Sequence, residues 1–136
     1  MYCDDAVWRE SADADVLRSL YGYLPTLHDG RIRKVEINTQ VRSVVITVDY
    51  SDLPEGAERE IDVRLELTFF DVTRLDMPLE ATDIFEFNSE RKSGGVQTRI
   101  LMSAGEWLIV ESSSFEISLE RVGPEVGASG PTLSLR

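Results

Sequence analysis

The sequence predicts an α+β domain in which one N-terminal helix packs on a strongly twisted, mainly antiparallel sheet, or half-barrel, of about seven strands. Three observations lead to this prediction. Apolar residues recur with helical spacing over residues 11–21. Beyond Pro25 they alternate with polar residues, as in strands that bury one face. Short polar segments separate the alternating runs, and links of that length join antiparallel neighbours.

The predicted helix covers residues 11–21 and has recognisable ends. Ser11 is a suitable N-cap, because its hydroxyl can accept a hydrogen bond from a backbone N–H group of the first turn. Gly22 stands where a left-handed C-terminal cap is needed, and Pro25 prevents the helix from continuing. The apolar stripe that is expected to face the sheet consists of Ala12, Val16, Leu17, Leu20 and Tyr21.

The predicted strands are recognised by their alternation. In the clearest run, residues 61–69, apolar residues occupy one face and polar residues the other, which indicates a long antiparallel strand with one buried face. Its apolar residues are Ile61, Val63, Leu65, Leu67 and Phe69. The same reasoning places Phe85 and Phe87 on one face of a later strand. The remaining runs are residues 35–37, 44–50, 96–102, 107–110 and 115–119.

Residues 1–122 are expected to form one domain, because 136 residues is the usual length of a single domain. Residues 123–136 are rich in Gly, Pro and Ser, which is typical of a loose tail. Leu133 and Leu135 alternate with Ser134, so a short docked strand is the alternative.

The charge of the chain restricts its partners. It has 14 Lys and Arg and 25 Asp and Glu, a net charge of −11. This charge disfavours nucleic acid and anionic membrane surfaces as partners, and it favours a basic protein. The alternative is that the charge only keeps the domain soluble. The single cysteine, Cys3, allows no internal disulfide. The first five residues, Met-Tyr-Cys-Asp-Asp, are acidic and have no apolar signal segment, so we expect a cytoplasmic protein.

The sequence offers little material for catalysis or metal binding. His28 is the only imidazole, and Cys3 stands among acidic residues that raise the pKa of a thiol. Nucleophilic catalysis usually needs a base beside the nucleophile, and zinc needs three or four N or S ligands. We therefore expect a protein without enzymatic activity, without a required metal and without a cofactor.

Acidic residues are concentrated in two segments. Residues 49–62 contain six acidic residues and one Arg, a net charge of −5, and residues 71–90 have the same balance. The two segments would form one acidic surface if the strands between them paired, although charged turns are also simply solvent-exposed. The candidate partner-binding residues are those of the first segment, namely Asp49, Asp52, Glu55, Glu58, Glu60 and Asp62.

One segment resembles a known family. Gly22 ends the predicted helix, Pro25 turns the chain, and His28-Asp29 leads into the first strand. This order, with the later apolar run 65–72, resembles the Immunity protein 50 family, small cytoplasmic proteins associated with bacterial polymorphic toxin systems. That family carries Ala where this chain has Gly30. The resemblance implies an immunity-type protein that neutralises a toxin domain by occluding it.

Two further interpretations stay open at this stage. His28-Asp29 can be a structural turn, in which Asp29 accepts backbone hydrogen bonds and the His28 ring covers the helix end, or it can contact a partner. The protein can also be a small-ligand binding module with an aromatic-lined pocket in a half-barrel. The aromatic residues considered for that pocket are Tyr23, Phe85, Phe87, Trp107 and Phe115.

Overall fold

Two four-stranded antiparallel sheets and one helix, α1 (Ala14–Tyr21), make up the described part of the computed structural model, residues 13–23, 26–54, 56–80 and 82–123. The strands in chain order are β1 (Arg31–Asn38), β2 (Ser43–Asp52), β3 (Ile61–Phe70), β4 (Arg74–Asp76), β5 (Ile84–Lys92), β6 (Gly95–Met102), β7 (Trp107–Ser112) and β8 (Ser114–Val122). The first sheet has the order β1-β2-β3-β8 and the second has the order β4-β7-β6-β5.

This arrangement confirms the α+β class and the antiparallel pairing, and the number of strands is close to the predicted seven, but the strands form two sheets and not one. The described residues form eight strands, and the chain passes between the two sheets after β3 and again after β7. β3 therefore pairs with β8, and β4 pairs with β7. The alternation of residues shows which face of a strand is buried but not which strand lies beside it.

The two sheets pack face to face and share one core. On β3, Val63, Leu65, Leu67 and Phe69 are fully buried, which confirms the strongest strand prediction. Ile61 at the start of the strand is half-buried. The ring of Phe115 on β8 stacks on Phe69 with 4.8 Å between centroids, and it lies 6.2 Å from Phe87 of the opposite sheet.

The helix is shorter than predicted. It begins at Ala14 after Asp13, so Ser11 is not its N-cap, and residues 11 and 12 lie outside the described residues. Val16 is 43% exposed, against the prediction, because the buried stripe of this short helix runs through Ala14, Leu17 and Tyr21. Its C-terminal end is as predicted. Gly22 adopts φ 84° and its N–H donates to the carbonyl of Arg18.

The start of the helix covers the free edge of β8. The Asp13 carboxylate accepts a hydrogen bond from the Leu119 N–H at 2.6 Å, and the Asp13 N–H donates to the carbonyl of Ile117 at 3.4 Å. The Asp13 side chain therefore bonds to the sheet and makes no cap to its own helix. These contacts satisfy edge groups of β8 that are otherwise open to a further strand.

A bulge changes the face of Phe85. The register of β5 with β6 shifts between Ile84 and Glu86. Phe85 is consequently 51% exposed while Phe87 is fully buried, so the prediction that both share one face is wrong. A bulge adds one residue to a strand and reverses the alternation beyond it.

The predicted boundary and tail fall partly outside this description. The last described strand, β8, ends at Val122, and residues 124–136, with Leu133 and Leu135, lie outside the described residues. None of the described helices is long and apolar enough to cross a membrane.

Candidate partner-binding surface

Four acidic residues lie at one end of the first sheet, where β2 ends and β3 begins. Asp52 is the last residue of β2, and Asp62 on β3 lies opposite Ser51. Glu58 and Glu60 are exposed on the connection between the two strands. We refer to Asp52, Glu58, Glu60 and Asp62 as the acidic rim. Arg59 is exposed on the same connection and offsets one of the four charges.

Three tyrosine side chains pack together next to the acidic rim. Tyr21 at the end of α1 is buried, and its hydroxyl donates to the carbonyl of Ile61 at 2.8 Å. The ring of Tyr50 packs edge-on against Tyr21 with 5.6 Å between centroids, and the ring of Tyr23 lies 6.0 Å from Tyr21. Tyr23 is 38% exposed, so it presents an aromatic surface beside the rim carboxylates.

The Asp52 carboxylate is held in one position by several donors. The Tyr23 hydroxyl donates to its Oδ2, and the Tyr50 hydroxyl lies 3.3 Å from the same atom. The backbone N–H of Leu53 donates to Oδ1 at 2.8 Å. A carboxylate fixed in this way loses less side-chain entropy when it meets a partner than a free one does.

The rim produces a negative potential that acts on Tyr21. Burial raises the pKa of Tyr21 well above its usual value, and the neighbouring Tyr50 and the charges of Asp52, Asp62 and Glu60 raise it further. Burial also raises the pKa of Tyr50 to about 12, with a further contribution from Asp29. The same potential that opposes a tyrosinate anion attracts a cation.

Asp49 does not belong to the rim, although the sequence predicted it as a partner-binding residue. Its carboxylate lies between two guanidinium groups, 2.9 Å from Arg33 Nη1 and 2.7 Å from Arg64 Nε. Arg64 is 4% exposed, so the predicted polar face of β3 carries a covered ion pair at this point. The Asp49 carboxylate is thus mostly covered and already paired with two guanidinium groups, unlike the exposed carboxylates of the rim.

The second acidic segment does not extend the rim. Most of it belongs to the other sheet, where two of its carboxylates have local ion-pair partners. Asp76 pairs with Arg74 at 2.6 Å, and Glu90 pairs with Lys92 at 3.0 Å. Backbone pairing brings the two segments together only at Asp83, which bridges to Arg31 of β1 opposite Asp49. The Asp49 charge is matched there by Arg33 and Arg64, so this link does not extend the acidic rim. Glu55, the remaining predicted residue, lies outside the described residues.

Two residues of the family motif, His28 and Asp29, lie on the turn that precedes β1, and a third, Gly22, is the C-cap of α1. Pro25 is outside the described residues, and Asp29 adopts the left-handed φ of 69°. His28 Nδ1 lies 2.6 Å from the carbonyl of Phe85, and the two rings meet edge-on at 5.4 Å. The expected contact of His28 with a backbone carbonyl is thus present. The ring, however, packs against Phe85 and not over the end of the helix. The Asp29 side chain is 84% exposed.

Gly30 is required at its position for a steric reason. A Cβ atom there would lie 2.9 Å from the Leu27 carbonyl oxygen and 3.1 Å from Val48 Cγ1. The first contact is with backbone and cannot be relieved by a rotamer change. The Ala that the resembled family carries here would therefore require the turn to shift.

The aromatic residues considered for a ligand pocket are not gathered around one cavity. Phe87 and Phe115 are core residues, whereas Phe85 contacts His28. Trp107 lies on the outer face of the second sheet, 41% exposed, with the Arg99 guanidinium 5.8 Å from its ring centroid. Tyr23 lies beside the acidic rim, where its hydroxyl donates to Asp52. Within the described ranges, no group of three or more His, Cys, Asp or Glu is arranged to hold a metal ion.

Comparison of the chain with models of known families, with curated proteins and with solved structures finds no match. The similarity to the Immunity protein 50 family therefore stays a prediction. The feature that sequence reasoning missed is the grouping of Tyr21, Tyr23 and Tyr50 beneath Asp52. The i, i+2 tyrosines at the helix end were a signal for it, but the partner strand could be found only from the fold.

Proposed function

We propose that this chain is an immunity-type binding protein that neutralises a cognate, basic bacterial toxin domain in the cytoplasm by occluding it. The binding surface is the acidic rim together with Tyr23. In this function the chain performs no chemistry, so it needs neither catalytic residues nor a cofactor.

The observation that carries the proposal is the ordered pairing of an exposed tyrosine with a fixed carboxylate. Protein interfaces are enriched in tyrosine, which supplies a large contact area at a low entropic cost. Tyr23 and Asp52 are joined by a hydrogen bond, and Leu53 beside them is 50% exposed. An apolar centre with polar and charged residues around it is the usual composition of a protein interface.

The net charge of −11 supports a basic partner. Electrostatic attraction accelerates the encounter of two proteins, whereas close packing of a few anchors slows their separation. The rim charges would serve the first step and Tyr23 the second. The small-ligand alternative has less support, because the aromatic residues that would line its pocket lie in separate parts of the fold.

The partner is found by affinity capture from the cell that produces the chain, followed by mass spectrometry and purification of the captured protein. Expression of that protein alone should stop bacterial growth, and co-expression of the chain should restore it. The association rate should fall when salt rises from about 0.01 M to about 0.15 M, because the Debye length shortens from about 30 Å to about 8 Å.

A triple charge reversal tests whether the rim is the contact. The variant Asp52→Lys, Glu58→Lys, Glu60→Lys changes the net charge from −11 to −5, because each reversal adds two positive charges. A matched control, Glu86→Lys, Glu106→Lys, Glu116→Lys, makes the same change outside the rim. The rim variant should lose growth protection and associate much more slowly, while the control keeps most of both. Equal effects of the two variants would contradict the proposed surface.

A further inference from the structure

The edge of the first sheet at β1 is covered along only part of its length by the described residues. At its start, the Ile32 N–H donates to the carbonyl of Thr82 at 2.7 Å, and the Gly30 carbonyl accepts from the Ile84 N–H at 2.8 Å. Beyond the bulge between Ile32 and Lys34, no strand in the described part of the chain pairs with this edge.

The residues of β1 whose backbone N–H and C=O groups point out of the sheet can be deduced from β8, the strand at the opposite edge. Ile117 and Leu119 on β8 bond to Asp13 and so direct their backbone groups away from β3. Backbone groups alternate in direction along an antiparallel strand. The registers that link β8, β3, β2 and β1 have no shift in this region, so the alternation can be followed from strand to strand. It directs the backbone groups of Lys34 and Glu36 toward β2.

Val35 and Ile37 consequently direct their backbone N–H and C=O groups to the outside of the sheet. Their side chains lie on the inner face, opposite Ile46 and Val44 of β2. Val35 is half-buried, but Ile37 is 54% exposed. Ile37 also lines an open cleft of about 250 Å³ between this edge and β4. An exposed edge with an uncovered apolar residue is a template for a further strand.

We propose that this edge of β1 pairs antiparallel with the same edge of a second copy of the chain, with the two-fold axis at Val35. In this register the two Val35 residues exchange backbone hydrogen bonds. Lys34 of each copy then lies opposite Glu36 of the other, and such opposite-charge pairs stabilise neighbouring strands. A register centred on Glu36 would instead place two carboxylates opposite each other, which is unfavourable.

The proposed dimer leaves the acidic rim accessible. The part of β1 that no described strand covers ends at Asn38, which lies opposite Ser43 at the start of β2. The rim lies at the other end of β2, where Asp52 pairs with Ile61. Self-association is thus independent of the proposed function, and each copy would present its own rim.

Sedimentation equilibrium at about 0.15 M salt, where repulsion between the two acidic chains is screened beyond about 8 Å, tests the dimer. The mass of the wild-type chain should rise from 15.3 kDa toward twice that value as the concentration increases from micromolar to millimolar. The variants Lys34→Glu and Glu36→Lys should each stay monomeric, because each places like charges opposite each other. A wild-type chain that is monomeric throughout this range would overturn the proposal.

Mixing the two variants shows whether dimerisation depends on charge pairing between copies or on the ion pair within one β1 strand. Lys34 and Glu36 also form an ion pair within β1, 3.5 Å apart, which both variants lose. An equimolar mixture restores opposite charges only between copies, so a heterodimer should form in the mixture. The combined variant Lys34→Glu, Glu36→Lys should dimerise as the wild type does. Circular dichroism melts confirm that each variant is folded, and failure of either rescue would overturn the register.

Discussion

The Arg64 guanidinium and the Asp49 carboxylate meet across β3 and β2 on the outer face of the first sheet, with Nε 2.7 Å from Oδ1 and Nη2 3.3 Å from Oδ2. The two residues are directly opposite in the register of the strands. Their side chains are only 5% and 12% exposed, so solvent screens the contact weakly. An acidic residue that sequence reasoning assigned to a partner is therefore committed to the fold.

Asp49→Asn should destabilise the protein. The substitution removes the negative charge shared by Arg64 and Arg33, and loss of one member of a covered ion pair costs about 3 kcal/mol. Urea unfolding measures the difference. Asp76→Asn is the control, because the pair of Asp76 with Arg74 is about half exposed and should contribute little. Equal losses in the two variants would contradict the structural role of Asp49.

Leu65→Ala should also reduce the free energy of unfolding, by about 2–5 kcal/mol, because it leaves a cavity at a fully buried position between the sheets. Thr68→Ala is the matched control on the same strand, since Thr68 is half-buried on the outer face. Chemical denaturation compares the two. A similar small loss in both variants would mean that β3 does not bury the face that contains Leu65.

Long alternating runs allowed much of the fold to be predicted, and short or irregular segments did not. The run containing Leu65 and Phe69 has one apolar face, and Gly22 could be identified as a cap from its position after the helix. β4 has only three residues, which is too short for a period to be recognised. The bulge beside Phe85 reversed its face, because an inserted residue leaves no mark in the alternation.

The candidate site was predictable only in part, because its residues depend on distant strand pairing. The segment 49–62 was recognised from charge alone, and Asp52 and Asp62 do lie together. Charge alone could not distinguish Asp49 from these two residues. Asp49 is covered because it pairs with Arg64, and Arg64 is buried only when β3 lies between β2 and β8. Tyr50 reaches Tyr21 only because the helix end meets the end of β2.

The protein should lose stability at alkaline pH. Tyr50 has a pKa of about 12 in the folded chain, against about 10 for an unfolded tyrosine, so its contribution is complete below pH 10. As the pH rises from 10 toward 12, the unfolded chain releases this proton first, and stability falls by up to about 1.4 kcal/mol per pH unit. Urea midpoints at pH 8 to 11 measure the loss. Tyr50→Phe should reduce the slope, and an unchanged slope would contradict this assignment.

Tyr23 and the rim charges should affect binding of the cognate partner in different ways. Tyr23→Ala removes an exposed aromatic anchor, and anchors of this kind contribute about 2 kcal/mol, which corresponds to a dissociation rate about 30-fold faster. Glu58→Lys should mainly slow association, because a rim charge acts during the encounter of the two proteins. Surface plasmon resonance at several salt concentrations measures both rates.

Trp107→Ala is the control for this comparison, because Trp107 is as exposed as Tyr23 but lies on the outer face of the second sheet. It should leave both rates unchanged, so a loss of affinity in this variant would mean that the interface lies on the second sheet.

Tyr23→Phe distinguishes the contribution of the aromatic ring from that of the hydroxyl. It keeps the contact area but removes the hydrogen bond to Asp52, so it should accelerate dissociation less than Tyr23→Ala does. Equal acceleration by the two substitutions would mean that the fixed position of Asp52, and not the aromatic surface, holds the partner.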